Sequence, residues 1–315
     1  ALSGASGQSN SNNTAVGYFA LRYVTTGSYN TALGKDAGDS VTRGEKKVFV
    51  GTDSGQNTTS QSNCVFVGYE AGATAQVSST TGIGYQALTS LTTGANNLAI
   101  GYNAMLTHTT GSRNIAIGYG AMDDTDAGSN SLDSYDNIFV GYNSGGGTWG
   151  DSDRTRGNVA IGNYTMDGAL NDARYNTALG HNALTGLTTG DSNVSIGKDS
   201  LRDLTSGSSN VAIGLQAGMQ QSTGSGNVHI GYIASYVDSS SANTIIGSGA
   251  FASSNNSNSG SNVIIGYESG TEINSANSTD NVIVGRGAGR GGGAEFTENI
   301  AIGSFALDGT AGNAS

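Results

Sequence analysis

One pattern of apolar and polar positions recurs about every 17 residues along this chain. Each repeat carries an asparagine, three mostly apolar residues and a glycine, as in Asn97-Leu98-Ala99-Ile100-Gly101. We call this glycine the anchor glycine and number the other positions from it, so that Asn97 is at −4 and Ile100 at −1. The anchor glycines are Gly17, Gly34, Gly51, Gly68, Gly84, Gly101, Gly118, Gly141, Gly162, Gly180, Gly197, Gly214, Gly231, Gly247, Gly266, Gly285 and Gly303.

Positions −3 and −1 predict a β-strand in every repeat. Position −1 is always Val, Ile or Leu, as in Ile100, Ile117 and Ile213, and position −3 is Thr, Val, Ile or Leu. Residues two apart in a strand point to the same side, and β-branched residues suit a pleated surface. The many Gly, Asn, Ser and Thr residues disfavour helices. We therefore expect one strand of about five residues and a shorter second strand per repeat.

Position −2, between the two aliphatic columns, faces the opposite side of the strand. It is usually alanine, but Phe49, Phe66 and Phe139 occupy it in some repeats and isoleucine in others. A column that accepts both Ala and Phe is not expected inside one narrow coil. We therefore expect it to face a second surface, such as a partner subunit, since strands that are apolar on both faces are typical of buried parallel sheets.

Three further columns indicate a stacked coil. Position −4 is asparagine in fourteen of seventeen repeats, including Asn97, Asn114 and Asn210; the exceptions are Lys47, Cys64 and Thr80. Stacked asparagines form hydrogen-bonded ladders. The anchor glycines, among them Gly101, Gly118 and Gly214, suit a tight bend or a positive φ. Position +3 is always Ala, Ser or Thr, which indicates that backbone passes close by.

The predicted fold is therefore an all-β parallel β-solenoid, or β-roll, of about 17 coils of about 17 residues. We expect a polar N-terminal arm at 1–12, the solenoid at 13–308 and a C-terminal tail at 309–315. Proline, which cannot donate to a strand ladder, is absent. The chain begins at Ala1 without a signal peptide, which we interpret as a processed product or an excised segment.

Composition narrows the classes of partner. The net charge of −11 repels phosphate backbones, so a nucleic-acid partner is not expected. No apolar run is long enough for a membrane span, so membrane insertion is not expected either. The single cysteine, Cys64, excludes an intrachain disulfide framework.

The repeat resembles a known family of surface fibres. Asn114-Ile115-Ala116-Ile117-Gly118 is similar to head repeats of YadA-type trimeric autotransporter adhesins. The longer stretch from Asn97 to Met105, followed by a Thr-Thr-Gly loop, is more similar to repeats of bacteriophage tail fibres. This resemblance, over about residues 13–308, implies a homotrimer of left-handed parallel β-rolls that serves surface attachment. The period of 17, with no membrane anchor or coiled-coil stalk, favours a phage-type or other released fibre.

Two insertions flank Gly141, and insertions in solenoids often form the binding face. The second insertion contains Trp149, the only tryptophan, with Asp151 and Asp153 beside it. With Tyr142 these residues are receptor-binding candidates, because an exposed tryptophan can stack on a sugar ring. The alternative interpretation of Trp149 is a hydrophobic plug over the coil.

The first insertion carries Asp124, Asp126, Asn130 and Asp133 at a spacing similar to that of a calcium loop. It lacks the full EF-hand ending, so a solvated acidic loop is the favoured interpretation and calcium the alternative. Tyrosine follows the anchor glycine in eight repeats, which predicts a stacked tyrosine ladder.

No catalytic arrangement is expected. His108, His181 and His229 lie in distant repeats, and residues many coils apart do not converge in a solenoid. The predicted function is a non-enzymatic, extracellular fibre or adhesin on a virion tail or cell surface, with itself and a glycan or protein receptor as partners and no cofactor. The alternatives are a self-assembling filament subunit and an ice- or polysaccharide-binding solenoid.

Overall fold

The computed structural model describes residues 10–125, 134–150, 155–236, 239–252, 259–271, 273, 278–290 and 296–309. Within these ranges the chain forms strands and turns, and it has no helix that could cross a membrane. Each repeat supplies one strand of three residues. The strands are β1 (Thr14–Val16), β2 (Thr31–Leu33), β3 (Val48–Val50), β4 (Val65–Val67), β5 (Thr81–Ile83), β6 (Leu98–Ile100), β7 (Ile115–Ile117), β8 (Ile138–Val140), β9 (Val159–Ile161), β10 (Thr177–Leu179), β11 (Val194–Ile196), β12 (Val211–Ile213), β13 (Val228–Ile230), β14 (Thr244–Ile246), β15 (Val263–Ile265), β16 (Val282–Val284) and β17 (Ile300–Ile302).

The chain divides into two compact units, each a parallel β-solenoid. Unit 1 comprises Ala1–Asn158 with Leu170–Asp172, and unit 2 comprises Val159–Ala169 with Ala173–Ser315. In unit 1 strands β1 to β8 pair in sequence order, and in unit 2 strands β9 to β17 do the same, which makes about fifteen turns. Equivalent positions align, so Ile100 lies opposite Ile117. The predicted all-β parallel solenoid is confirmed.

The strands are shorter than the predicted five residues, because bends close both of their ends. The residue at −5 has a left-handed φ, as at Asn96 (64°) and Arg113 (56°), and the anchor glycine has φ between 128° and 147°. A second extended segment is confined to single bridges, Ser112 with Tyr135 and Tyr135 with Arg156.

The two faces of the strands are reversed relative to the sequence-based prediction. The −2 side chain lies inside the coil: Ala99, Ala116, Phe139 and Ile264 are fully buried. The residues at −3 and −1 point outward and are exposed or half-buried in every described repeat. The column that we expected against a partner subunit is therefore the core of the coil, and the aliphatic columns form the outer surface.

Size compensation between two positions explains how one narrow coil accepts both Ala and Phe at −2. Where Phe49 or Phe139 fills the interior, position +4 is Gly55 or Gly145, and a β-carbon there would overlap the ring. In most coils with alanine at −2, as at Ala99, position +4 is a large residue such as Met105, which is fully buried. At Gly38 and Gly218, where both positions are small, the −2 side chain of the next coil fills the space. The interior volume is shared between these two columns.

The predicted asparagine ladder runs inside each unit. In unit 2 the Asn193 side-chain oxygen accepts from the backbone N–H of Asn210 at 3.0 Å, and the Asn210 oxygen accepts from that of Asn227 at 2.9 Å. The Asn210 side-chain nitrogen donates to the Gly224 carbonyl at 2.8 Å and to the Asn193 oxygen at 3.0 Å. Asn97 and Asn114 form the same contact in unit 1. The ladder satisfies the polar groups of a bend that has no access to water.

Candidate functional site

The outward face of the sheet is the most distinctive surface of the chain. Three columns of side chains point outward, at −3, −1 and +1, and the first two are aliphatic or threonine throughout. The −1 side chains remain open to solvent: Ile213 is 37% exposed and Leu179 is 46% exposed. Each unit therefore presents continuous rows of aliphatic side chains that nothing in the described chain covers.

A tyrosine ladder widens this face in unit 1. Tyr69, Tyr85, Tyr102, Tyr119 and Tyr142 stand at +1 in five successive repeats, and their neighbouring ring centroids lie 4.9 to 5.2 Å apart. The interplanar angles are 4° to 14°, so the rings are stacked, as predicted. The stack hides the ring faces and leaves edges and hydroxyl groups outside. It is therefore a poor platform for a sugar ring, which needs an open aromatic face.

The size of the outward face distinguishes it from scattered surface apolar residues. With strands about 4.8 Å apart and same-side residues about 7 Å apart, the face of each unit covers on the order of 400 Å². Contiguous apolar patches of a few hundred Å² on a soluble protein mark interaction sites. A stable interface takes about 800 Å² from each partner, so each unit supplies a substantial part of one.

The structure corrects the predicted position of Trp149. Its side chain is 1% exposed, its indole nitrogen donates to the Gly145 carbonyl at 3.0 Å, and its ring lies 5.7 Å from that of Phe139. The hydrophobic plug is thus the arrangement found, and the indole has no surface open to a sugar. Tyr142 is exposed and ends the tyrosine ladder. Asp151 and Asp153 lie outside the described residues.

The calcium hypothesis gains no support from its one described residue. The Asp124 carboxylate accepts a hydrogen bond from the Thr148 hydroxyl, and its backbone oxygen accepts from Trp149 N at 3.0 Å. Asp126, Asn130 and Asp133 lie outside the described residues. Among the residues that are described, no three His, Cys, Asp or Glu side chains form a cluster suited to a metal ion.

The histidines lie apart, as expected. His108 is buried and its Nδ1 is 2.9 Å from the Thr125 hydroxyl. His229 fills the coil interior at −2, where burial lowers its pKa from 6.5 to about 3. His181 is exposed, with its ring against Tyr164 at 5.7 Å. Each histidine has a local packing role, and none faces another.

Loop threonines bear on the ice- or polysaccharide-binding alternative. The hydroxyls of Thr92, Thr188 and Thr205 each donate to a backbone carbonyl of the next repeat at 2.8 to 2.9 Å. These hydroxyls therefore link successive coils, which reduces what they offer to an external ligand. The aliphatic side chains at −3 and −1, by contrast, make no hydrogen bond within the chain.

Lys47 interrupts the asparagine ladder and gives the fold a pH dependence. Its fully buried ammonium lies 3.5 Å from the Thr59 carbonyl oxygen, and burial lowers its pKa from 10.5 to about 8, with a small opposing effect of Cys64. Below pH 8 both folded and unfolded chains are protonated, and the fold bears the full cost of the buried charge. As pH rises from 8 to 10.5 the folded chain loses this proton first, so this contribution to stability improves.

We expect Lys47→Asn to stabilise the fold by about 2 kcal/mol at pH 7, because it removes the buried charge and restores the ladder. Urea unfolding followed by circular dichroism at pH 7 and pH 9.5 measures this, and the advantage of the variant should shrink at the higher pH. Lys198→Asn, at an exposed lysine, is the control. A Lys47→Asn variant with wild-type stability at both pH values would contradict the assignment.

Tyr142 and the column of Ile100, Ile117 and Ile213 were predicted as a receptor-binding candidate and as structural residues, not as parts of one outward face, although the sequence carries the signal of that face. A −2 column that trades size with +4, as Phe66 does with Gly72, marks the inside of the coil. The −1 column, always aliphatic whatever its neighbours, then has to be the outside.

Comparisons with known proteins add no identification. No family model, no curated protein and no solved structure matches this chain.

Proposed function

We propose that this chain is the non-enzymatic shaft segment of a homotrimeric extracellular fibre, of the phage tail-fibre or surface-adhesin kind, which holds a receptor-binding surface away from a virion or cell. One observation carries the proposal: each unit presents an unbroken aliphatic column at −1 beside a column of aliphatic residues and threonine at −3. Burying such columns against copies of the same chain removes them from water. The repeat resemblance described above supports three copies.

The mechanism is passive. Successive coils are held by strand pairing, by the asparagine ladder and by threonine hydroxyls, so the shaft resists bending. Three copies present three receptor-binding surfaces, and avidity then exceeds the affinity of one surface. Tyr142 stands in the +1 column of the outward face, which assembly would cover, so the proposed receptor contact falls on exposed parts of the chain outside this face. The proposed receptor is a glycan or a protein at a cell surface.

The test of this proposal is to weaken the outward face and measure assembly. The triple variant Ile83→Ser, Ile100→Ser and Ile117→Ser changes one exposed and two half-buried side chains of the −1 column. Each substitution removes on the order of 1 to 2 kcal/mol of apolar burial per copy, so the dissociation constant should rise at least roughly 100-fold. Sedimentation equilibrium over a concentration series measures it.

The matched control is Thr26→Ser, Thr93→Ser and Thr189→Ser, which changes three exposed loop residues away from the outward face and should assemble like the wild type. Circular dichroism of the isoleucine variant should retain the wild-type spectrum, because these side chains point out of the coil. A triple isoleucine variant that keeps its spectrum and assembles with wild-type affinity would refute the proposed role of the outward face.

A further inference from the structure

The outward face has two edges that differ in chemistry. One edge is formed by the residues at −5, such as Lys46 and Asp280, which are exposed and have φ near 60°. We call it the minus edge. The other, the plus edge, is formed by the residues at +1 and +2, such as Asp53 and Arg286. In each coil the three-residue strand lies between the two edges, so charges on opposite edges of one chain do not meet.

Most charged groups beside the face are neutralised within their own chain. Arg113 at −5 pairs with Asp136 at 2.6 Å, and Lys35 at +1 pairs with Asp36 at 2.8 Å. Lys198 pairs with neighbouring Asp199 at 3.7 Å. Ion pairing between neighbouring residues or neighbouring coils is thus the ordinary arrangement for a charge at these edges.

Six charged groups at these edges have no ion-pair partner among the described residues: Glu70, Glu298 and two couples that lie on opposite edges of one coil. Lys46 and Asp53 lie on opposite edges of the β3 coil, and Asp280 and Arg286 lie on opposite edges of the β16 coil. Burial raises the pKa of Asp53, Lys35 in the adjacent coil lowers it, and Asp36 and Glu70, which occupy the same position in the two adjacent coils, raise it. Each of the two coils therefore carries an unmatched cation on one edge and an unmatched anion on the other.

The order of the signs is opposite in the two coils. In the β3 coil the cation is on the minus edge, and in the β16 coil it is on the plus edge. Neither edge is therefore uniformly basic or acidic. Lys46 would also meet an acid one coil away, at Asp36 or Glu70, but Lys46 and Asp280 both meet an opposite charge only when each coil faces the same coil of another copy. If one copy were displaced by one coil along its neighbour, Asp280 in unit 2 would lie beside Glu268 for a displacement in one direction. It would lie beside the uncharged Ser304 for a displacement in the other direction.

We propose that copies of this chain pack in register, with the minus edge of one copy against the plus edge of the next, so that Lys46 pairs with Asp53 and Asp280 with Arg286 between copies. This inference rests on the proposed self-association and specifies how the copies are aligned along their coils. Contacts between two different edges close into a ring when the rotation permits. Charges at the rim of an apolar interface set register and association rate more than total affinity.

Charge reversal tests the pairing. A K46E chain would bring two acidic edges together, and a D53K chain two basic ones. Each variant alone should assemble about 10-fold more weakly than the wild type at low salt, and the deficit should shrink in 0.5 M NaCl because salt screens exposed charges. The double variant K46E/D53K restores opposite signs and should assemble like the wild type. The control R43E alters an exposed arginine away from both edges and should have no such effect.

Mixing the two single variants, K46E and D53K, is the most discriminating part of the experiment. With one variant isotopically labelled, native mass spectrometry should find mixed oligomers in excess over either homo-oligomer, because the acidic edge of one chain then meets the basic edge of the other. The pair D280K and R286E should behave in the same way. Wild-type assembly of all single variants, or rescue of K46E by E70K in place of D53K, would overturn the inference and leave the proposed oligomer standing. A monomeric wild type would instead remove the proposed function itself.

Discussion

Replacing the anchor glycine Gly214 by alanine is expected to lower the free energy of unfolding by about 3 kcal/mol or more. Gly214 has φ 134°, a region that residues with a β-carbon rarely adopt, and a β-carbon there would overlap the carbonyl group of Gly231 in the next coil. The conformational strain and the overlap act together. Neither the new β-carbon nor the Gly231 carbonyl group can move away without breaking the strand pairing between the two coils. Urea unfolding followed by far-ultraviolet circular dichroism measures the loss.

The matched control for this substitution is Gly226→Asn in the neighbouring coil. Gly226 has φ 68°, and a β-carbon at this site would meet no atom within 4 Å. Its equivalents in other coils include Asn63 and Asn96, both with φ near 60°. The control should therefore unfold within about 0.5 kcal/mol of the wild type. Equal stability of the Gly214→Ala variant and the control would show that close packing of the anchor glycines is not required.

Replacing Asn210 by alanine is expected to cost about 2 to 3 kcal/mol, the second large effect. The substitution removes the acceptor of the Asn227 backbone N–H and the donor to the Gly224 carbonyl, at 2.9 and 2.8 Å. Both groups are buried in the coil, where water cannot replace a lost partner. The Gly224 carbonyl keeps its hydrogen bond from the Gln221 side chain at 2.7 Å, so the Asn227 N–H is the group left without its partner. Because coils contact only their neighbours, the damage should concentrate in the coils next to Asn210.

Hydrogen exchange read by mass spectrometry locates that damage, and urea unfolding gives its size. Peptides that contain Asn193 and Asn227 should lose protection, whereas peptides of distant coils should not. Asn57→Ala is the control, since Asn57 is exposed and takes no part in the ladder. An Asn210→Ala variant as stable as the Asn57→Ala control would mean that the ladder contributes nothing to the fold.

The periodic part of the fold was predictable because each column has one physical requirement. The asparagine at −4 satisfies a buried bend, and the glycine at 0 allows a φ and an approach that no other residue allows. Both requirements recur in every coil, so the spacing of Asn97, Gly101, Asn114 and Gly118 was enough to predict parallel coils and their alignment. The stacked tyrosines followed from the same spacing, because equivalent positions lie one strand spacing apart.

The orientation of the strands was predicted wrongly, because the signal lies in the joint variation of two columns and not in either column alone. The variation from Ala99 to Phe139 at −2 indicates an outside position when that column is considered alone. It indicates an inside position once it is paired with +4, where Met105 and Gly145 vary in the opposite sense. Trp149 is a similar case, since a tryptophan in an insertion looks exposed until its packing against Phe139 is known.

The corrected orientation strengthens the argument for several chains. A coil interior that is filled by the side chains at −2 and +4 is buried without a partner chain. An outer face of valine, isoleucine and leucine is buried only when another chain covers it. The candidate surface is therefore the face whose residues are the most uniform in the sequence, not the irregular insertions. The proposed receptor contact would then fall on exposed parts of the chain outside this face.

The most direct test of this account is the mass of the wild-type chain in solution, measured by sedimentation equilibrium from nanomolar to micromolar concentration. The account predicts a single species of about 95 kDa, three times the 31.5 kDa of one chain, that persists at high salt because apolar burial holds it. Polymers without an upper size would favour a filament over a trimer. A monomer of 31.5 kDa at micromolar concentration would contradict the claim that the outward face joins copies of this chain.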